Sequence, residues 1–114
     1  MVTPTAGAVV LVPFPFSDLS QTKLRPALVL ADAGRGDWIL CQITSKPYGD
    51  TSAIEVKGEN LKTGSLRVVS YVRPGKLFTA NQSLIIMEVG TLKTERVKNV
   101  IEAVIDLLQR STSP

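Results

Sequence analysis

Ala8-Val9-Val10-Leu11-Val12-Pro13-Phe14-Pro15-Phe16 and, after seven intervening residues, Leu24-Arg25-Pro26-Ala27-Leu28-Val29-Leu30 are the stretches on which the fold turns. Each carries a short, almost unbroken apolar run rich in β-branched residues. Such a run is too short for a buried helix and suits a strand covered on both faces. The first strand is therefore expected over Ala8–Val12. Pro13 and Pro15 remove backbone donors and predict that it ends there, in a loop. The polar stretch Ser17 to Lys23 reads as exposed loop, and Pro26–Leu30 as the second strand.

Outward from this pair the pattern repeats. Ala33-Gly34-Arg35-Gly36-Asp37 is a turn, and Trp38 to Thr44 a third strand with alternating faces. Lys46-Pro47-Tyr48-Gly49-Asp50 reads as a loop, Ala53–Val56 as a shorter strand, and Gly58 to Gly64 as a turn region. Ser65–Val72 is expected to be a strand, broken at Arg73-Pro74-Gly75 and resumed over Lys76–Thr79, and Leu84–Val89 reads as a further short strand or as helix. Val97, Val100, Ile101, Val104 and Leu108 recur at helical spacing and predict one amphipathic helix facing a core. Thr91 or Thr94 is placed to cap it, Glu95 and Arg110 suit its dipole, and Ser111–Pro114 is expected to fray. Five or six short strands and one terminal helix make the expected class mainly β, a small barrel or strongly bent sheet closed by a helix.

The 114 residues allow one domain, 1–114, and one core. The formal net charge is +3, a mild excess that suits nucleic acid or an acidic partner as well as no polyanion at all. Histidine is absent, which removes Ser-His-Asp, Cys-His and paired-imidazole catalysis. With a single cysteine and no histidine, no zinc site is expected, and the scattered carboxylates suggest no two-metal nuclease. Cys41 lies in an apolar run and reads as a small buried hydrophobe, compatible with a reducing compartment. No export signal and no apolar run near the roughly 20 residues of a membrane span is seen, so a cytoplasmic protein without membrane contact is expected.

In order, Gly7 to Leu19, Lys23-Leu24-Arg25-Pro26 entering the second strand, Ile43-Thr44-Ser45 ending the third, Ser70 to Thr79, and Gly90-Thr91-Leu92 before the helix resemble the MazF/PemK toxins over the whole chain. The resemblance implies an SH3-like small β-barrel with a C-terminal helix (MazF/PemK/CcdB-like), and a homodimer. It implies metal-independent cleavage of single-stranded RNA with no cofactor. The 2′-hydroxyl attacks the adjacent phosphate, and a cognate antitoxin protein covers the RNA groove.

Read by residue type alone, Arg25 is a surface arginine ahead of a strand and Thr44 a β-branched strand end. The resemblance makes both catalytic. A guanidinium can clamp a phosphate bidentately and stabilise its growing charge, whereas its pKa suits it poorly to proton transfer. The Thr44 hydroxyl can donate to a phosphate oxygen or orient the 2′-hydroxyl, with Ser45 as a second donor. As RNA contacts the resemblance adds Lys23, Lys46, Arg73 and Lys76, with Tyr48 as a stacking platform and Phe14 and Phe16 preferred as packing residues. The loops Ser17–Lys23 and Lys46–Asp50 would flank the groove. The chain departs from the family pattern in three places. Gly75 stands where some members carry an acid, a first-loop histidine is missing, and Ala8 replaces an acidic residue. The alternatives are a barrel that poisons a protein target such as gyrase, or a degenerate toxin that binds RNA or antitoxin without cutting. A plain peptide-binding barrel fits poorly with so few aromatic residues.

Overall fold

A computed structural model of the chain describes residues 3–15 and 22–112. The strands are β1 (Ala8–Pro15), β2 (Thr22–Gly34), β3 (Asp37–Thr44), β4 (Ile54–Val56), β5 (Leu61–Gly64), β6 (Ser70–Asn81) and β7 (Met87–Leu92). They are followed by the helix α1 (Thr94–Thr112). All pairings are antiparallel, in the order β4-β6-β3-β2-β1-β7-β5. The two edge strands, β4 and β5, are consecutive in sequence and joined only through Lys57 and the 3-10 turn Gly58–Asn60. A sheet whose edges are tied by so short a link must coil. The result is a nearly closed, mainly β barrel with a C-terminal helix.

The unbroken apolar runs follow from burial on both sides of the sheet. Val9, Leu28, Cys41 and Ile43 pack on one side with Val100 of the helix, flanked by Val97 and Val104. Their strand neighbours Val10, Ala27, Val29 and Leu40 pack on the other with Ile85. Ile101 and Leu108, expected in the core-facing stripe of α1, are exposed instead, together with Ile105.

Several expected boundaries move, each for a local reason. β1 continues through Pro13 to Pro15 because β7 pairs with it only as far as Leu11. Beyond that point β1 has β2 as its one ladder partner among the described residues, so the missing donors leave no ladder broken. β2 is longer than expected and contains Arg25 rather than following it. Its turn into β3 is the two-residue Arg35-Gly36, with φ of 57° and 80°, the geometry that matches strand twist in tight hairpins.

The break expected at Arg73-Pro74-Gly75 is a bulge inside a continuous β6, where the register to β3 jumps between Cys41↔Leu77 and Ile43↔Val72. Part of the region expected as turn is β5, whereas Ser65–Val69 is not strand. Met87 rather than Leu84 opens β7, after a 3-10 turn over Gln82–Leu84. Lys93 supplies the first helical carbonyl, to Arg96 and Val97, so Thr94 lies inside the helix and Thr91 in β7. The helix includes Ser111 and Thr112. The first loop, with Phe16, lies outside the described residues, as do the side chains of Phe14 and Pro15.

Candidate active site

β2 and β3 part company before they end. Their last paired residues are Ala27 and Gln42, yet β2 runs back to Thr22 alongside β1 and β3 runs on to Thr44 alongside β6. Pro26, which has no N–H to offer a ladder, stands at the parting. An open groove of about 870 Å³ reaches into this fork. Arg25 and Pro26 line it from β2, Ile43, Thr44 and Ser45 from the end of β3. Leu11, Leu66 and Val89 add apolar surface, so the groove reaches the edge of the barrel core.

Arg25 and Ser45 are exposed and Thr44 is half-buried. The Thr44 hydroxyl is oriented by its own backbone: Oγ1 accepts from the Lys46 N–H at 3.1 Å and donates to the Lys46 carbonyl at 3.2 Å. The donor bond is long, so an incoming phosphate oxygen can replace the carbonyl at small cost while the acceptor bond holds the oxygen in place.

Three expected contributors, Arg25, Thr44 and Ser45, thus share one groove. Lys23, Lys46 and Tyr48 do not line it; all three are exposed, Tyr48 at 76%. Arg73 and Lys76 line a separate hollow of about 200 Å³ with Gln42, Leu77 and Phe78. Arg73 is tied down there: its Nε donates to Asp50 Oδ2 at 2.9 Å, with both side chains less than one-fifth exposed. The guanidinium holds the Asp50 carboxyl below its ordinary range, chiefly through this hydrogen bond.

The groove also holds residues that sequence reasoning passed over, among them Ser65, Arg67, Ser70 and Glu88. Arg67 follows the turn glycine Gly64 in an otherwise apolar stretch, and Glu88 is a lone acid in Ile85-Ile86-Met87-Glu88-Val89. A charge inside an apolar strand pattern was the available signal for both. Glu88 brings a carboxylate to the groove, although Gly75 offers none.

Cys41 is fully buried, and its Sγ donates to the Arg73 carbonyl at 2.8 Å. Desolvation pushes its thiol from 9.0 up to about 12. A neutral, inaccessible thiol is no nucleophile. Native protein at pH 8 should therefore not react with a thiol-specific disulfide reagent, while urea-unfolded protein should release one equivalent. Rapid native reaction would contradict this environment. Between about pH 9 and 12 the unfolded chain loses this proton and the folded chain keeps it, so stability falls as pH rises through that window.

Among the described residues no group of three or more His, Cys, Asp or Glu is placed to hold a metal ion, and no helix is long and apolar enough to cross a membrane.

Known proteins share this architecture. A MazF from Deinococcus radiodurans, solved as a MazE-MazF complex, aligns over 99% of this chain and 100% of its own with a TM-score of 0.75 at 21% identity. A mycobacterial endoribonuclease solved with its cognate antitoxin aligns over 96% of each chain, TM-score 0.72, at 12% identity. The Mycobacterium tuberculosis toxin MazF-mt6 aligns over 90% of this chain and 96% of its own, TM-score 0.70, at 18% identity. At these identities the likeness concerns the fold. No curated protein matches the sequence significantly. The family model of the PemK-like, MazF-like toxins of type II toxin-antitoxin systems matches residues 5–108, nearly the whole chain, and the protein belongs to that family.

Proposed function

We propose that this chain, residues 1–114 acting as one domain, is the toxin of a type II toxin-antitoxin pair. In this reading it is a metal-independent, sequence-selective endoribonuclease that cuts single-stranded mRNA in the cytoplasm. The observation that carries the reading is the meeting of Arg25, Thr44 and Ser45 in one open groove of a toxin-family barrel.

The 2′-oxygen of one ribose attacks the neighbouring phosphorus and the bond to the 5′-oxygen breaks, leaving a cyclic phosphate and a 5′-hydroxyl. Arg25 binds the nonbridging oxygens as their charge grows, which is where a fixed cation contributes most to the rate. Thr44 holds the phosphate or the 2′-hydroxyl in line, and Ser45 supplies a further donor. Lys23, Lys46, Tyr48 and Lys76 extend the RNA contact beyond the groove through phosphate attraction and base stacking. Arg73, bound to Asp50 through Nε, contacts RNA only through its remaining donors.

The test is incubation with mixed-sequence single-stranded RNA in excess EDTA, with mapping of the ends. Cuts at a short recurrent sequence, carrying cyclic phosphate and 5′-hydroxyl ends, are expected. Intact RNA, or cleavage that EDTA abolishes, would sink the reading.

The same groove suits the antitoxin. Leu24, Val68 and Met87 line it with exposed apolar side chains, which an RNA backbone does not require and a peptide with apolar anchors does. The toxin is also a homodimer in this reading. Ile101, Ile105 and Leu108 form an exposed stripe on α1 at spacings of four and three residues, with Leu108 at 61% exposure. Burying such a stripe against a second copy removes it from water. Sedimentation equilibrium should show a dimer that Ile105→Lys converts to monomer with unchanged far-ultraviolet dichroism. A monomeric wild type would rule the dimer out.

A further inference from the structure

Asp50 is the most heavily engaged residue in the loop after β3. Its N–H donates to the Pro47 carbonyl at 3.0 Å, and its own carbonyl accepts from Ala53 at 3.2 Å. Oδ1 accepts from the Ser52 N–H at 2.9 Å, and Oδ2 accepts from Arg73 Nε. The loop it organises contains Tyr48 at φ 54° and Gly49 at φ 74°. A tyrosine in the left-handed region is unfavourable and persists only where its surroundings over-determine it.

The same loop is tied to the groove residue Thr44 through Lys46, whose N–H and carbonyl both bond the Thr44 hydroxyl. The connections are contiguous: Arg73 to Asp50, Asp50 to Pro47, the Lys46-Pro47 peptide, then Lys46 to Thr44. The circuit closes across the sheet, since Thr44 pairs with Tyr71, two residues before Arg73 on β6.

We infer that the Asp50–Arg73 pair is a positioning device, which fixes the loop after β3 so that the Lys46 backbone holds the Thr44 hydroxyl in one orientation beside the groove. Asp50 and Arg73 are then positioning residues that act through Thr44. This inference rests on the nuclease reading for its kinetic consequence, though not for its structural one.

Two measurements separate these. Amide hydrogen exchange of the full chain reports the structural part. In Asp50→Asn the Lys46 N–H should exchange about tenfold or more faster than in wild type, because the opening of the loop is less opposed. Far-ultraviolet dichroism and a cooperative melt should confirm that the variant is folded. Arg73→Lys, which keeps charge but not the Nε geometry, should lie between the two.

The kinetic part is a double-mutant cycle. Misplacing a catalytic group by about 1 Å can cost on the order of a hundredfold, so Asp50→Asn should lower kcat roughly ten- to a hundredfold with little change in KM. On a Thr44→Val background the same substitution should change the residual kcat less than about twofold, since the group it positions is gone. A folded Asp50→Asn with unchanged Lys46 exchange overturns the inference, as does an equal kinetic effect on both backgrounds. If the wild type cuts no RNA, the nuclease reading fails and the exchange result alone decides the positioning role.

Discussion

Replacing Arg25 with alanine is expected to lower kcat for RNA cleavage about 100- to 1,000-fold, the cost typical of removing one donor from a developing oxyanion. The residue is exposed in the groove wall, so the variant should melt close to the wild type, as surface substitutions generally do. Arg25→Lys distinguishes fork from charge. A lysine supplies a point charge without bidentate geometry, so partial recovery is expected, with activity between wild type and alanine. Single-turnover rates with RNA in excess EDTA measure this directly. Full activity in Arg25→Ala would remove Arg25 from the mechanism, and full activity in Arg25→Lys would reduce its role to simple attraction of the phosphate.

The second large effect is on folding. Where β5 meets β7, Gly64 pairs with Gly90 and the two backbones touch. A Cβ built on Gly64, which has φ 79°, would collide with the Val89 carbonyl oxygen and the Gly90 Cα. One built on Gly90 would stand 2.7 Å from the Thr63 carbonyl oxygen. The obstacles are backbone atoms and cannot swing aside. Gly64→Ala combines this overlap with a left-handed φ, and a loss of roughly 3 kcal/mol or more is expected. For a domain of this size that corresponds to a fall in Tm of about 10 °C or more. Gly34→Ala is the control: φ is also positive, at 90°, but the space is open, so only backbone strain of about 1 kcal/mol applies. Equal melting of the two alanine variants would show that close approach at the β5–β7 contact has no energetic weight.

Much of this was legible in the sequence, unevenly. The centres of β1, β2 and β3 and the helix announced themselves because burial on both faces leaves an apolar run that little else produces. Strand ends cannot be read from the sequence wherever the deciding fact is a neighbour. Pro13 is tolerated because β7 stops at Leu11, and Pro74 because a bulge absorbs it. β5 was invisible: of Leu61-Lys62-Thr63-Gly64 only Leu61 is buried, and pairing with β7 alone makes it a strand. Similarly, only their place in a family pattern singles out Arg25 and Thr44 as site candidates. Ser65, Arg67 and Glu88 reach the groove only because the barrel curls, and no spacing encodes that. Arg73 could not be assigned to Asp50 by inspection, since the pair is 23 residues apart in the chain.

The strand order has a consequence for how such a protein is made. β1 has one of its two neighbours in β7, the last of the described strands, and Val100 of the following helix completes the core that Val9 begins. The groove wall that includes Glu88 and Val89 is likewise synthesised after the residues it faces. A nascent chain stalled before Met87 therefore carries Arg25 and Thr44 without the wall that encloses them. The groove of a nascent chain is therefore finished only when β7 has followed the strands that carry Arg25 and Thr44, whatever that groove goes on to bind.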